Sequence, residues 1–340
     1  MRMQFCGLAI ACWMLGTSFA QADGVPVTIE NFAVAESDLY FANAIKEAGG
    51  IGKFFHNREP VSIDKQIVIR MNRDTLYSSA VFDLDAGPVT ITLPDAGKRL
   101  MSLEVISEEH YSPMVVYAPT TIKLDKDNVG TRYVMAAVRT LADPTNDIDL
   151  KEVAALQDAI TVSQPGGPGK FEVPNWNTQQ QKEIRDALLV LAKYNSGFGN
   201  AMGPKGTVDP IRHLIVTAGG WGANPDKDAS YASFDPKSDG KTIYKLHVPA
   251  DVPVDGFWSI TVYNAKGFFE KNPYDAYSVN NITAKKGADG SVDIQFGGCD
   301  GKIPNCLPIM DGWNYVTRMY RPRAEILDGS WKFPKAQPAS

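Results

Sequence analysis

The spacing of apolar positions changes several times along this chain. From residue 30 to 49 apolar side chains recur near helical spacing, at Phe32, Ala35, Leu39 and Ala42, and a glycine pair ends the run. From residue 61 to 138 short β-branched runs alternate with prolines and glycines, which is typical of antiparallel strands in a sandwich. The strands predicted there are Ile67–Ile69, Ala80–Phe82, Val89–Leu93, Leu103–Ile106 and Tyr133–Val138.

The middle of the chain returns to helical spacing. Asp149 is predicted to cap a helix that carries Val153, Leu156 and Ile160, and a glycine- and proline-rich loop follows at 164–169. A second helix is predicted from Asn177 or Thr178 to Tyr194, and Gly197 is expected to stop it. Its buried stripe is expected to contain Ile184, Leu188 and Leu191.

Strand patterns return for the last third of the chain. The predicted strands are 243–248, 257–263, 292–296 and 313–320. The fold class predicted from these patterns is mainly β with a helical insert. The predicted organisation is a signal peptide at 1–22, an N-terminal β domain with a leading helix at 23–145, a helical linker region at 146–235 and a C-terminal β-sandwich domain at 236–340.

The N-terminus has the three parts of an export signal. Arg2 is basic, 5–16 is apolar and uncharged, and Ala20-Gln21-Ala22 matches the small-x-small cleavage pattern. The apolar part is shorter than the roughly 20 residues that span a bilayer. We therefore expect a periplasmic or secreted protein with no integral membrane segment after cleavage. An uncleaved anchor and a lipoprotein modified at Cys12 are the alternatives.

Charge and histidine spacing exclude several classes of partner. The formal net charge is −5, and there is no basic run to hold a phosphate backbone, so no nucleic-acid partner is expected. The four histidines are far apart in sequence, and no dinucleotide, phosphate-loop or metalloprotease motif occurs. We predict no cofactor and no metal, and the sequence leaves the oligomeric state open.

Two cysteines remain after the predicted signal peptide. Cys299 and Cys306 are seven positions apart, and in an exported chain such a pair is expected to form a disulfide. A catalytic redox pair is usually closer, as in Cys-x-x-Cys.

Three polar clusters are candidates for chemistry. The first follows an apolar strand and contains Arg70, Asn72, Arg73 and Tyr77 as predicted ligand-binding residues, with Asp74 as a candidate acid or base. Arginine binds carboxylates through paired hydrogen bonds. The alternative is that an arginine pairs with Asp74 and that Asn72 and Asp74 cap a turn.

The second cluster lies at the end of a predicted strand. Glu104 stands among apolar residues, where burial would raise its pKa and suit it to acid–base catalysis. His110 is the second catalytic candidate there, and Tyr111 is a predicted ligand-binding residue. The alternative for this cluster is a solvated turn capped by His110.

The third cluster lies in the last predicted domain. Alternation places Trp258, Ile260 and Val262 on one face of a strand and Ser259, Thr261 and Tyr263 on the other. In the final strand Asn314, Val316, Arg318 and Tyr320 share a face. The predicted ligand-binding residues are Trp258, Tyr263, Arg318 and Tyr320. The alternative is a buried ion pair between Arg318 and Asp275 or Asp311.

These clusters also carry a family resemblance. The motif at 72–80 (NRDTLYSSA) resembles the domain of unknown function numbered 1254, and 256–263 (GFWSITVY), 305–308 (NCLP) and 318–322 (RMYRP) resemble the domain numbered 1214. The resemblance implies an N-terminal immunoglobulin-like sandwich, central helices and a C-terminal jelly-roll-like sandwich. It implies no activity.

Three functions are consistent with these observations. The first is binding of a small polar ligand, a carboxylate or a sugar, in a pocket lined by arginine, asparagine and aromatic side chains. The second is a hydrolase or lyase that uses carboxylate or histidine acid–base chemistry. The third is a structural envelope protein without a ligand.

Overall fold

A computed structural model describes residues 24–66, 69–195, 197–236 and 239–339 of the chain. The predicted leader at 1–22 lies outside these ranges, and so do Ile67 and Val68 of one predicted strand. Ile69, the last residue of that predicted strand, lies in a turn.

The first β region is a sandwich of two antiparallel sheets. One sheet contains β1 (Phe55–His56), β2 (Thr75–Asp83), β4 (Met101–Ser107), β5 (Met114–Tyr117) and β7 (Tyr133–Leu141), in the spatial order β1-β2-β7-β4-β5. The other contains β3 (Val89–Leu93), β6 (Thr120–Leu124) and β8 (Thr161–Ser163), in the order β6-β3-β8. Alternate side chains of β3 enter the core because strand side chains alternate between faces. The predicted strands at 80–82, 89–93, 103–106 and 133–138 are confirmed.

The second β region is a sandwich of two four-stranded sheets. One contains β9 (Ala229–Phe234), β11 (Trp258–Tyr263), β12 (Ser278–Asn280) and β15 (Asn314–Tyr320), in the order β12-β11-β15-β9. The other contains β10 (Tyr244–Val248), β13 (Val292–Phe296), β14 (Cys306–Leu307) and β16 (Gln337–Pro338), in the order β14-β13-β10-β16. All four strands predicted in this region are confirmed. Its core is aromatic, with Phe296 stacked on Trp313 and on Tyr315 at 5.1 Å between ring centres.

The helices lie between and beside the sandwiches. They are α1 (Phe32–Ala48), α2 (Lys126–Val129), α3 (Asp147–Asp158), α4 (Thr178–Ala192), α5 (Pro210–Gly219) and α6 (Ala324–Leu327). Three of them confirm predicted helices with shifted ends. The cap of α3 is Asn146 and not Asp149, which lies inside the helix and binds Arg99. α4 ends at Ala192, before the predicted end at Tyr194.

Helix α1 covers the outer face of the five-stranded sheet. Its Phe41 and Ala44 pack against Val81 of β2 and Met135 of β7. Leu39, which follows the predicted spacing, is largely exposed. Helices α4 and α5 pack against the start of α1 through the cluster around Phe32. α1 is therefore one of the elements that join the helical region to the first sandwich.

The buried stripe of α4 differs from the predicted one. Leu188 is buried and Ile184 packs against the same cluster, as predicted, but Leu191 is 54% exposed. The helix turns Gln181 and Leu188 toward α1 and α5. Leu191 lies only about 60° around the helix from Leu188, but α1 and α5 do not cover that edge of α4 and leave it exposed.

The predicted disulfide between Cys299 and Cys306 is confirmed, with Cα atoms 5.6 Å apart. It closes the loop that joins β13 to β14 in the second sandwich. A disulfide stabilises a fold mainly by restricting the unfolded chain.

Replacing both cysteines with serine is expected to lower the free energy of unfolding by roughly 2–3 kcal/mol, from the chain entropy of a loop this short. Denaturant titration of the oxidised protein and of the double variant measures this difference. Adding a reducing agent should change the native protein and leave the variant unchanged. Equal midpoints for the two proteins would contradict the prediction.

The predicted fold class is confirmed: the chain is mainly β, with several antiparallel sheets and few helices. Strand β9 comes from the end of the predicted helical region and pairs with β15 of the second sandwich. In the described ranges no helix has the length and apolarity needed to span a bilayer.

Candidate functional site

One sheet of the second sandwich has a polar outer face. Ser259 lies opposite Arg318, Thr261 opposite Val316 and Tyr263 opposite Asn314, so these side chains share a face. Trp258, Ile260 and Val262 point the other way, into the sandwich core. The two predicted faces are confirmed, and the polar one is turned toward the first sandwich.

The segment that leads into β2 crosses this polar face. Met71 accepts a hydrogen bond on its carbonyl from the Tyr263 hydroxyl at 2.7 Å. The Asn72 amide donates to the Tyr320 hydroxyl at 3.0 Å. The Asn72 Oδ1 accepts a hydrogen bond from the backbone N–H of Asp74, so Asn72 caps a turn as the alternative hypothesis predicted. The structure thus brings the first and third predicted clusters together.

Arg318 is buried at the centre of this contact. Its guanidinium donates to Thr261 Oγ1 at 2.9 Å, to the Tyr263 hydroxyl at 2.7 Å and to the Arg70 carbonyl at 2.8 Å. Burial lowers the pKa of Arg318, but the oxygens of Tyr263 and Tyr320 and the Asp74 carboxylate outweigh it and raise the pKa above its usual value.

The carboxylate whose charge raises the pKa of Arg318 is Asp74. The alternative hypothesis, an ion pair of Arg318 with Asp275 or Asp311, named the wrong carboxylates. Within the described residues the Arg318 guanidinium makes no direct ion pair. The sequence did not reveal this interaction, because Asp74 and Arg318 are far apart in the chain and belong to different sandwiches.

Asp74 is fully buried beside this network. One of its carboxylate oxygens accepts from the Asn280 amide at 3.2 Å, and the other has no hydrogen-bond partner. Burial raises the pKa of Asp74, and the Arg318 charge works against that rise. Asp74 therefore balances a buried cation and has no exposed surface itself.

A second buried arginine, which the sequence analysis missed, belongs to the first sandwich. Arg139 of β7 donates to the Glu104 carboxylate at 2.7 Å, to Asn224 Oδ1 at 3.3 Å and to the Gly222 carbonyl. Burial raises the pKa of Glu104 to about 7, although Arg139 lowers it. A charge inside an apolar strand was the signal that singled out Arg318, and the same signal marks Arg139.

The two guanidinium groups converge on three tyrosines. The Arg139 guanidinium lies 5.5 Å from the ring centre of Tyr77. Burial raises the pKa of Tyr320, and the charges of Arg139 and Arg318 oppose that rise. The same two charges also act on Tyr231, whose side chain is 45% exposed. The contact region between the two sandwiches, which contains Arg139, Arg318 and these tyrosines and is called the seam below, is therefore rich in positive charge and phenol groups.

A hollow of about 380 Å³ opens at the edge of this seam. Its lining consists of Arg70, Ser233, Phe234, Asp235, Ala265, Gly312 and Asn314. The Asn314 amide nitrogen donates to the Asn264 carbonyl at 2.8 Å, and its oxygen is an acceptor without a partner in the described part of the chain. Arg70 is exposed, and its guanidinium has no ion pair within the described residues.

The backbone at Arg70 is held firmly. Its φ is +54°, a region that residues other than glycine rarely adopt. Its N–H donates to the Gly267 carbonyl and its C=O accepts from Arg318, both at 2.8 Å. A buried arginine therefore holds the backbone of an exposed one in place at the rim of the hollow.

Two other predicted ligand-binding residues point away from the hollow. Arg73 donates to the Val61 carbonyl and lies over the ring of Tyr277, and burial lowers its pKa. Trp258 packs in the core 5.7 Å from Phe333 and contributes to a separate cavity of about 120 Å³.

His110 and Tyr111 lie outside the seam, against helix α5. His110 is buried, and its Nε2 accepts from the Gly222 N–H at 2.9 Å while Nδ1 contacts Thr217 Oγ1 at 2.8 Å. Since Nε2 accepts, the proton is on Nδ1. Burial lowers the pKa of His110 well below its usual value. The Tyr111 ring stacks on His213 at 4.3 Å.

The three catalytic candidates are not brought together. Glu104 binds Arg139, Asp74 binds Asn280, and both ring nitrogens of His110 have contacts within the protein. In the ranges that the structure describes, no three metal-ligating side chains form a cluster suited to a metal ion.

Two family models match the chain, in the predicted order. Residues 51–120 match the protein of unknown function family DUF1254, and residues 227–324 match the protein of unknown function family DUF1214. The first match contains the segment at Arg70, and the second contains most of the polar sheet face. No curated protein matches the chain.

Two solved structures share the fold. The VPA0106 protein from Vibrio parahaemolyticus is 18% identical with a TM-score of 0.68, over 92% of this chain and 98% of that one. An uncharacterized protein from Burkholderia cenocepacia is 13% identical with a TM-score of 0.51, over 90% of this chain and 86% of that one. At these identities the likeness shows the fold alone.

Proposed function

We propose that this chain, which joins a DUF1254 region to a DUF1214 region, binds a small carboxylate in the hollow beside Arg70. The observation that carries the proposal is a guanidinium without an ion pair among the described residues, held at the rim of a 380 Å³ hollow. That volume is within the range of pockets for small ligands.

Apart from Asp235, the lining suits a carboxylate with polar substituents. Arg70 offers paired N–H donors, which match the two oxygens of a carboxylate. Ser233 and the Asn314 oxygen offer a donor and acceptors for hydroxyl groups, and Phe234 offers an apolar wall. A hydroxy acid or an acidic sugar combines these features, whereas a neutral sugar would leave Arg70 unmatched.

A thermal-shift screen tests the proposal. The purified protein is heated with mono- and dicarboxylates, hydroxy acids, uronic acids and neutral sugars. A ligand at about one hundred times its Kd adds about 2.7 kcal/mol to the free energy of unfolding, which raises the melting temperature. We expect acidic ligands to give this shift and neutral sugars to give none.

Paired variants locate the site. Arg70→Ala is expected to abolish the shift. Arg323→Ala is the matched control, because it removes the same charge from an exposed arginine bound to Asp255 on another surface. A shift that survives Arg70→Ala, or a screen in which no acid stabilises the protein, would reject the hollow as a carboxylate site.

We also propose that the chain is exported. The leader pattern at 1–22 supports export, and a disulfide is compatible with an oxidising compartment. Expression of the full sequence in a host with a secretion system, followed by intact-mass measurement, tests this. The expected N-terminus is Asp23.

A further inference from the structure

Helix α4 carries a second apolar stripe, on a face that no part of the described protein covers. Ala187, Val190, Leu191 and Tyr194 follow the spacing i, i+3, i+4, i+7 and are all exposed. The exposed fractions are 53% for Val190, 54% for Leu191 and 84% for Tyr194. Tyr194 continues the helical turn, since its N–H donates to the Leu191 carbonyl at 2.9 Å. A stripe with this spacing is what one helix presents to another.

We propose that two copies of this chain pair through this stripe, with α4 packed antiparallel against α4 of the second copy about a two-fold axis. This goes beyond the proposed ligand site, which lies at the seam between the sandwiches. In such a pair the stripe is self-complementary, because Ala187 lies opposite Tyr194 and Val190 opposite Leu191 of the other copy. A small residue facing a large one allows the two helices to pack closely.

The charges beside the stripe favour the antiparallel arrangement. Asp186 and Lys193 are seven residues apart and therefore lie on the same flank of the stripe. Lys193 has no ion pair within the described residues, and Asp186 contacts only Lys182 of its own helix. Antiparallel pairing places Asp186 of each copy near Lys193 of the other.

The exposed area is sufficient for a weak, reversible dimer. Together with Phe198, which is 53% exposed and follows the helix, these side chains present at most about 500 Å² per copy. Two copies would then bury at most about 1,000 Å², the lower limit for a specific interface. We therefore expect a dissociation constant in the micromolar range, on the order of 1 to 100 µM.

Sedimentation velocity over about 1 to 200 µM protein tests the pairing. The native chain is expected to pass from monomer to dimer, and Leu191→Glu is expected to remain monomeric throughout. Ile148→Glu is the matched control, since it places the same charge on an exposed aliphatic position of α3, and it should dimerise like the native chain. Circular dichroism establishes that each variant is folded.

A charge exchange tests the orientation of the helices. Asp186→Lys and Lys193→Asp should each weaken the dimer at least tenfold, and the double variant should recover most of the native affinity.

Monomers at every concentration of the native chain would overturn the proposal, and so would dimers of Leu191→Glu. Native monomers that sediment with anionic lipid vesicles, where Leu191→Glu does not, would identify a membrane as the occupant instead.

Discussion

Arg318→Met is expected to lower the free energy of unfolding by about 3–5 kcal/mol, which is the cost of breaking a buried charge arrangement by removing one member. The substitution leaves the Asp74 carboxylate buried without its balancing cation. It also leaves the Arg70 carbonyl and the Tyr263 hydroxyl without their donor. Chemical denaturation at pH 7 measures the loss.

Two further variants separate this cause from the loss of an arginine as such. Arg323→Met removes an exposed arginine that pairs with Asp255, and exposed pairs contribute about 0–1 kcal/mol. Asp74→Asn combined with Arg318→Met should cost less than Arg318→Met alone, because no unbalanced charge remains. If Arg318→Met were as stable as Arg323→Met, the seam would not depend on this arginine.

The second large effect is expected for Arg139→Met, and it should grow with pH. In the native protein burial raises the pKa of Glu104 to about 7 although Arg139 lowers it, so removing Arg139 raises that pKa further. Between the unfolded pKa of about 4.5 and the folded value, the unfolded chain releases its proton while the folded chain keeps it. The free energy of unfolding therefore falls as pH rises through that interval.

The native protein and the variant differ in where this fall ends. Glu104 lowers the stability of both proteins from about pH 4.5 to 7, but only in the variant does the loss due to Glu104 continue above pH 7, by up to about 1.4 kcal/mol per pH unit. With the lost hydrogen bonds to Asn224 and Gly222, the deficit at pH 9 is expected to reach about 3–5 kcal/mol. Denaturant titrations at pH 5, 7 and 9 measure it.

Glu104→Gln supplies the control for this second prediction. A glutamine cannot ionise, so the deficit of Arg139→Met in the Glu104→Gln background should stay constant between pH 7 and 9. A deficit that increases equally in both backgrounds would show that another group, and not Glu104, is responsible.

Much of the fold was accessible from local patterns. Val89–Leu93 was predicted to the residue, because alternating apolar side chains and flanking turn residues both act within a few positions. The two faces of β11 were also predicted correctly, since alternation is a property of any strand. Helix α5 was overlooked although Asp209 caps it and Pro210 occupies its first position.

Part of the seam carried a signal in the sequence. Arg70, Asn72 and Arg318 were singled out as charged or polar residues beside apolar strands, and the structure brings them into one seam. Arg139 carried the same signal and was missed. Nothing in the sequence indicated the hollow beside Arg70, because its lining comes from the first β region and from three separate segments of the second β region.

The sequence alone determined features that neighbouring residues control: many of the strands and helices, the alternation of faces, the leader pattern and the disulfide between two nearby cysteines. Only the tertiary structure decided which charges meet, since Asp74 and Arg318 are far apart in the chain and come together because two sheets pack against each other. The same is true of Leu191, whose exposure depends on which face of α4 the neighbouring helices cover. Local periodicity specifies that a helix has an apolar face, but long-range packing determines which face is buried.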